Sequence, residues 1–364
     1  MSTPPQALFV SYTSLLGGAE RILLDHATAL SGPVALACPD GPLADRARAA
    51  GIEVATLATR RVELRASVRD RIAMPLRIAG QARELRPIVA RLRPRCMVAS
   101  GMWALLSCTA GPRVSPPLVF QHNDLLPSPL VGRAVRAAAR RADLVVALSQ
   151  AIADDLDPDG RLGTAVEVVR PGVDLGRFAP APLPTTPTAL FLGAIVHWKR
   201  PDLALETVAL AARELPELRL RIAGAPLGAA GAELLAALEQ RAAQPDLAGR
   251  VDFLGPVDDV PAALAGATRL LHCADREPYG MALVEALASG RPVVAPAAGG
   301  PLEIVDASCG ALYTPGDARA AATALVDAVR ADRLGPAARA RAETHFDVTA
   351  SRARFAELVE DVAG

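Results

Sequence analysis

Lysine is almost absent from this chain of 364 residues: of its 39 basic residues 38 are arginine, and Lys199 is the exception. A background so biased towards arginine marks Lys199 as a place where a compact ammonium does what a planar guanidinium cannot. Chance survival of one lysine explains the same count. Net charge is also missing, because 39 acidic residues balance the basic ones, so global charge makes no case for nucleic acid. Cysteine is sparse: Cys38, Cys96, Cys108, Cys273 and Cys309 are odd in number, far apart and without a CxxC pair. That argues against a disulfide framework or structural zinc and fits a reducing cytosol. No apolar run approaches the roughly 18 residues of a spanning helix. MSTPPQALFV carries neither a basic n-region nor a useful apolar h-region, so no signal peptide is expected.

What is present is a soluble composition, 51% hydrophobic, in a chain long for one core and comfortable for two. Leu8 to Val10 reads as a strand, Gly17-Gly18 as a turn, and Ile22, Leu23, Ala27 and Leu30 as the apolar face of a helix. Strand, glycine turn and helix open a Rossmann-like βα unit, without the GxGxxG dinucleotide fingerprint. Further strands read at 33–37, 52–57, 97–99, 118–120 and 144–148, with helical stretches between them. This alternation implies a parallel, doubly wound sheet. Between residues 60 and 95 lie eleven arginines (60, 61, 65, 69, 71, 77, 83, 86, 91, 93 and 95) against Glu63, Asp70 and Glu84. Arg133, Arg136, Arg140 and Arg141 repeat the pattern. Such a face is either merely solvated or a surface for anionic lipid or an anionic acceptor.

APAPLPTTPT, residues 179–188, breaks the periodicity and places a domain boundary there. The first domain is then 1–183 and the second 184–346, with a last helix from about 347 to 364 able to pack back on the first. Strands restart at 189–192, 218–223, 251–254, 269–271, 292–295 and 311–313. Two such halves predict a cleft between them.

The most informative stretch is LHCADREPYGMALVEALASGRPVVAPAAGG, 271–300. Asp275 to Pro278 break an apolar run as a polar loop, and every residue from Met281 to Ala288 suits a helix. Gly290 sits where a C′ glycine should, and 292–295 reads as a buried strand. The loop bearing Glu277 therefore runs onto a helix N-terminus at Gly280 and Met281. Unpaired N–H groups and the helix dipole make that an anion site. Glu277 and Glu285 flank it, free to accept hydrogen bonds from sugar hydroxyls.

EPYGMALVEALASGRPVVAPAAGGPLEIV resembles the E-x7-E region of retaining glycosyltransferase family 4, a group of GT-B enzymes. The likeness extends over GGAERILLDHA, ADLVVALSQAIADDL, VVRPGVDLGRFAP, LGAIVHWKRPDLAL and VDFLGPVDDVPAAL, in family order across both halves. It implies an α/β GT-B fold of two Rossmann-like domains facing a central cleft. It further implies transfer of a hexose-type sugar from a nucleoside-diphosphate donor, UDP or GDP, to an acceptor hydroxyl with retention of configuration. Under this resemblance Glu277 binds the transferred sugar, Glu285 the donor ribose, and the amides of Gly280, Met281, Ala282 and Leu283 the diphosphate. Lys199 offsets charge on the leaving group. Gly17 and Gly18 let backbone approach the donor phosphate or the acceptor, and His122 lies near the reacting sugar. A strand-end histidine that only bonds its own loop is the plainer reading of His122.

One position departs from the pattern. Where relatives carry arginine after the glycine of the LG segment, this chain has Ala194, and Arg200 is the available substitute. An epimerase or phosphorylase on the same fold, or a catalytically weakened nucleotide-sugar binding protein, are the alternatives. No metal and no cofactor beyond the nucleotide sugar are expected. The expected acceptor is a glycan, a glycolipid or a small natural product, and the expected location is the cytoplasm, including the inner face of the membrane by way of the N-domain arginines.

Overall fold

The computed structural model describes residues 4–58, 68–112, 116–331 and 334–364. Arg60, Arg61, Glu63 and Arg65 of the arginine-rich stretch lie outside the described residues. Two compact units divide the chain, one of residues 1–171 with 350–364 and the other of residues 172–349.

Unit 1 alternates β1 (Ala7–Val10), α1 (Gly18–Ala29), β2 (Val34–Pro39), α2 (Pro42–Ala49), β3 (Glu53–Leu57) and α3 (Val68–Leu92). It continues with β4 (Cys96–Ser100), α4 (Met102–Cys108), β5 (Leu118–His122), α5 (Pro129–Ala139), β6 (Leu144–Ala147), α6 (Gln150–Leu156) and β7 (Val166–Val168). All pairings are parallel, in the order β3-β2-β1-β4-β5-β6-β7. Strands buried on both faces read as continuous apolar runs. In β1, Leu8 and Val10 join the core on one face, and Ala7 and Phe9 join the core on the other.

Unit 2 repeats the plan with β8 (Thr188–Leu192), α7 (Pro201–Ala211), β9 (Arg219–Ala223), α8 (Gly228–Ala242), β10 (Val251–Gly255), α9 (Val260–Ala265) and β11 (Arg269–Leu271). Then come α10 (Met281–Ala288), β12 (Val293–Pro296), α11 (Pro301–Ile304), β13 (Gly310–Tyr313), α12 (Ala318–Arg330) and α13 (Leu334–His345), after which the chain ends in α14 (Val348–Ala363). The parallel order is β10-β9-β8-β11-β12-β13. Both units are thus α/β, Rossmann-like and doubly wound.

The division falls between Pro171 and Gly172, upstream of the boundary that the proline-rich stretch suggests. The intervening segment is sewn to unit 2 by its own side chains and carbonyls. Val173 and Phe178 are buried in the core of unit 2, and the Val173 N–H donates to Phe346 O at 2.8 Å. Arg339 donates to Leu175 O and Phe178 O at 3.2 and 2.9 Å. Arg291 reaches Ala181 O and Pro182 O at 2.8 and 3.2 Å. From Ala350 onward, α14 belongs to unit 1, where Phe355 stacks on His26 with 3.9 Å between ring centroids.

Of the arginines grouped by sequence, Arg136 donates to the carbonyls of Leu156 and Asp155. Arg140 donates to Leu162 O, and Arg141 to Thr109 O and Gly111 O. These three hold unit 1 together, while Arg133 stays exposed. Among the described residues no helix is long and apolar enough to cross a membrane.

Candidate active site

In an open parallel sheet the crevice lies beyond the carboxyl ends of the strands where the winding reverses. In unit 2 that point falls between β8 and β11, which are neighbours in the sheet. The loop after β8 carries Lys199 and the loop after β11 carries Glu277, so topology alone brings the two residues to one place.

Glycines let the first loop leave the sheet. Gly193 and Gly224 hold φ values of 155° and 157°, and a Cβ on Gly224 would stand 1.8 Å from Gly193 O. The chain then closes a 3-10 turn at His197–Lys199 and passes through Arg200 at φ 54°, a left-handed value for a residue other than glycine. The second loop is tied to the first by the Asp275 N–H, which donates to Trp198 O at 3.1 Å. Beneath Glu277 the Gly299-Gly300 pair provides a floor. The Gly300 N–H donates to Glu277 O at 2.9 Å, and Cβ atoms at 299 and 300 would stand 2.4 Å from Glu277 O and 2.0 Å from Tyr279 O.

Lys199 Nζ lies 2.5 Å from Glu277 Oε2, with the side chains 18% and 8% exposed. The ammonium also sits 4.3 Å from the Trp198 ring centroid, a cation–π distance. His272 Nε2 lies 3.1 Å from the same Oε2. Burial pushes the Glu277 carboxyl up, but the Lys199 charge and the His272 contact outweigh it and hold the group well below the usual carboxylate range. Burial pushes His272 down, against the pull of Glu277. The result is a buried, ionised carboxylate between an ammonium and an imidazole.

The helix beside it is α10, as the composition of 281–288 predicts. Its C-terminus closes with the Gly290 N–H on Leu287 O at 2.9 Å and the Arg291 N–H on Ala286 O at 2.8 Å, the paired bonds of a Schellman motif. At its N-terminus, Gly280 (φ 111°) accepts from the Leu283 N–H at 2.9 Å. Of the amides expected to meet a phosphate, that of Leu283 is therefore engaged. Among the described residues those of Met281 and Ala282 find no acceptor. Glu285 is half-buried one turn further in.

Arg200 is turned elsewhere. Its guanidinium donates to Asp202 at 2.9–3.1 Å and to Asp275 at 3.0 Å, which raises its pKa further. The cation that sequence offers in place of an arginine at 194 is already spanned by two carboxylates. Gly17, Gly18 and His122 belong to unit 1. The Gly17 N–H donates to Glu20 at 2.9 Å, so it is taken, whereas a Cβ at Gly18 would meet nothing within 4 Å. His122 ends β5 fully buried, stacked on Phe120, with neither ring nitrogen hydrogen-bonded. Sequence reasoning missed His272 and the Asp202–Arg200–Asp275 group. The signal for His272 is only its place, the first residue after β11.

The Glycosyltransferase Family 4 model matches residues 16–177, and the glycosyl transferases group 1 model matches residues 176–343. The D-inositol 3-phosphate glycosyltransferase of Streptomyces scabiei is 34% identical over 246 residues, which are 60% of this chain and 54% of that protein. The protein of the same name from Nocardioides sp. is 37% identical over 201 residues, 49% of this chain and 43% of its own. The chain thus spans about half the length of the curated relatives it matches. Among solved structures, Anabaena HepE in complex with UDP superposes with a TM-score of 0.84 at 23% identity, over 98% of this chain and 100% of that one. Sucrose-phosphate synthase from Thermosynechococcus elongatus gives 0.79 at 19% identity, over 98% of each chain. These two likenesses speak for the fold, which is GT-B. With one family model following the other along the sequence, the chain belongs to the glycosyltransferases that join a Family 4 domain to a group 1 domain.

Proposed function

We propose that this chain is a retaining glycosyltransferase that moves a hexose-type sugar from UDP or GDP to an acceptor hydroxyl. The observation that supports this most directly is the Lys199–Glu277 pair, 2.5 Å apart at the switch point of unit 2 and beside the open amides of α10. A diphosphate needs positive charge and N–H donors, and a sugar needs a fixed acceptor for its hydroxyls. The curated relatives are named D-inositol 3-phosphate glycosyltransferases, and HepE has been seen with UDP-glucose, which favours a UDP-hexose.

In this reading Lys199 and the amides of Met281 and Ala282 meet the diphosphate and stabilise the charge that grows as the sugar C1–O bond breaks. Glu285 holds the ribose. Glu277 orients the sugar and faces its oxocarbenium character, and does not act as a nucleophile of the kind that retaining hydrolases use. The acceptor oxygen bonds to C1 on the face that the phosphate leaves, and its proton passes to the departing phosphate oxygen. The acceptor is a glycan end, a glycolipid or a small natural product. The work is placed in the cytoplasm or at the inner face of the membrane, where exposed arginines of unit 1 such as Arg133 would supply any lipid contact. Among the described residues no group of His, Cys, Asp and Glu side chains is arranged to hold a metal, and EDTA should leave the rate unchanged.

Thermal-shift measurement against UDP-, GDP-, ADP- and TDP-glucose, followed by anomeric analysis of the product by NMR, tests the proposal. A UDP or GDP sugar should raise the melting temperature, and an α-linked donor should give an α-linked product. Isomerised donor without acceptor, or turnover that requires free phosphate, would replace the reading with an epimerase or a phosphorylase.

A further inference from the structure

We propose that His272 is a positioning residue that keeps the Glu277 carboxylate in place when Lys199 turns to the diphosphate, an inference that rests on the donor-site reading above. Glu277 Oε2 has two neighbours of different kinds, Lys199 Nζ at 2.5 Å and His272 Nε2 at 3.1 Å. Lys199 stands on a four-carbon stem at the end of a 3-10 turn and is the more exposed of the two, at 18% against 5%. A dianionic diphosphate beside α10 competes for its ammonium.

His272 is fastened to the sheet. Its N–H donates to Val294 O at 2.8 Å, and its carbonyl accepts from the Tyr313 hydroxyl at 2.8 Å. A buried carboxylate that loses its cation needs another donor, or it takes up a proton. Nε2 is a buried nitrogen without an aligned hydrogen bond in this state, and because an ionised carboxylate only accepts, the ring bonds Glu277 by carrying its proton on Nε2 and turning to Oε2. Burial disfavours the imidazolium, so a neutral ring, already 3.1 Å from Oε2, can take over that oxygen as Lys199 leaves without adding charge that would compete with Lys199. With both partners on Oε2, nothing among the described residues donates to Oε1, which is left to a sugar hydroxyl.

The test compares the full-length wild type with His272→Met, which keeps bulk and removes the donor, and His272→Gln, which restores an N–H at similar reach. Hydrolysis of UDP-glucose needs no acceptor and gives kcat and KM, while UDP alone reports nucleotide binding. His272→Met should lower kcat by about 10-fold or more with donor KM and UDP affinity within about twofold, and His272→Gln should recover kcat to within about threefold of wild type. Nitrogen-15 histidine NMR of the wild type should show the Nε2–H tautomer of His272 with and without UDP, a readout that stands if the methionine variant does not fold. Wild-type kcat in His272→Met, no recovery in a folded His272→Gln, or an Nδ1–H tautomer overturns the inference. A wild type that neither binds UDP nor hydrolyses UDP-glucose or GDP-glucose overturns the donor-site reading instead, and the inference with it.

Discussion

The two sheets share one strand order through their first six strands, yet their carboxyl ends carry opposite chemistry. At the reversal in unit 2, charged groups meet: Lys199, Glu277 and His272 in one cluster, and Arg200, Asp202 and Asp275 in the next. In unit 1 the carboxyl ends of β4 and β5 carry a neutral chain. The Asn123 amide donates to Ser100 Oγ at 3.2 Å, Gln121 donates to Asn123 Oδ1 at 3.2 Å, and His26 Nδ1 lies 3.4 Å from Gln121 Oε1. Topology supplies a crevice to each unit, and side chains on two loops decide what it can hold.

The comparison breaks most readily at Lys199. Lys199→Ala should lower turnover by about 10²-fold or more, as expected for a group that stabilises leaving-group charge. A near-normal single-turnover rate would mean that the charged end of unit 2 is not where the donor reacts.

Acid should act first on the neutral end. Burial lowers His26 to about 4 and His122 to about 3, so both are uncharged when folded, and the unfolded chain binds their protons more readily. Their stability is complete above about pH 6.5 and is lost as pH falls towards 4 and then 3, by about 3 kcal/mol or more in all. Unit 2 has one such histidine, His272, which Glu277 partly supports. Hydrogen exchange corrected for intrinsic rates should show protection in unit 1 falling more steeply between pH 6.5 and 4, and His122→Leu should flatten that fall. Equal slopes in the two units would remove the distinction.

A structural cation should behave differently from one at the site. Arg291 is fully buried and donates to the carbonyls of Leu264, Ala181, Pro182 and Ala265. Arg291→Met should cost about 2–4 kcal/mol by orphaning those oxygens, read from denaturant unfolding, with donor KM unchanged in the folded enzyme. The smallest effect belongs to Arg200. With its charge shared between Asp202 and Asp275, Arg200→Ala should change donor KM by less than about threefold. Ala194→Arg, which adds an unshared cation near Lys199, should raise turnover by more than Arg200→Ala lowers it. The reverse order would show that Arg200 leaves its carboxylates for the diphosphate.

Several arginines in this chain are structural tools. Arg136, Arg141, Arg269, Arg291 and Arg339 each bind two or more backbone carbonyls, a task suited to a fork of five donors and poorly met by an ammonium. Of the arginines that the sequence groups as basic surface, Arg136 and Arg141 turn to backbone carbonyls, while Arg83, Arg86, Arg91, Arg93 and Arg95 are exposed. Strands with continuous apolar runs were legible, and so were the limits of α10, where helix formers end at a glycine. β7 was not, because its three half-buried residues lack the length and burial that make a period visible. The units divide upstream of the proline-rich stretch, because proline and threonine report only a break in local periodicity. Which unit the segment from Val173 to Pro182 joins depends on Arg291 and Arg339, far along the chain.

Local order was the sequence's own contribution: alternating strands and helices, glycines where the backbone must turn, an acid eight residues from another, and one lysine. Tertiary structure decided which of these groups meet. Lys199, His272 and Glu277 share an oxygen only because β8 and β11 are neighbours in the sheet while Leu192 and Arg269 are far apart in sequence, and Arg200 was withdrawn from that meeting by Asp275. Proximity of this kind arises from parallel pairing across a reversal in strand order, which no local pattern of residues encodes.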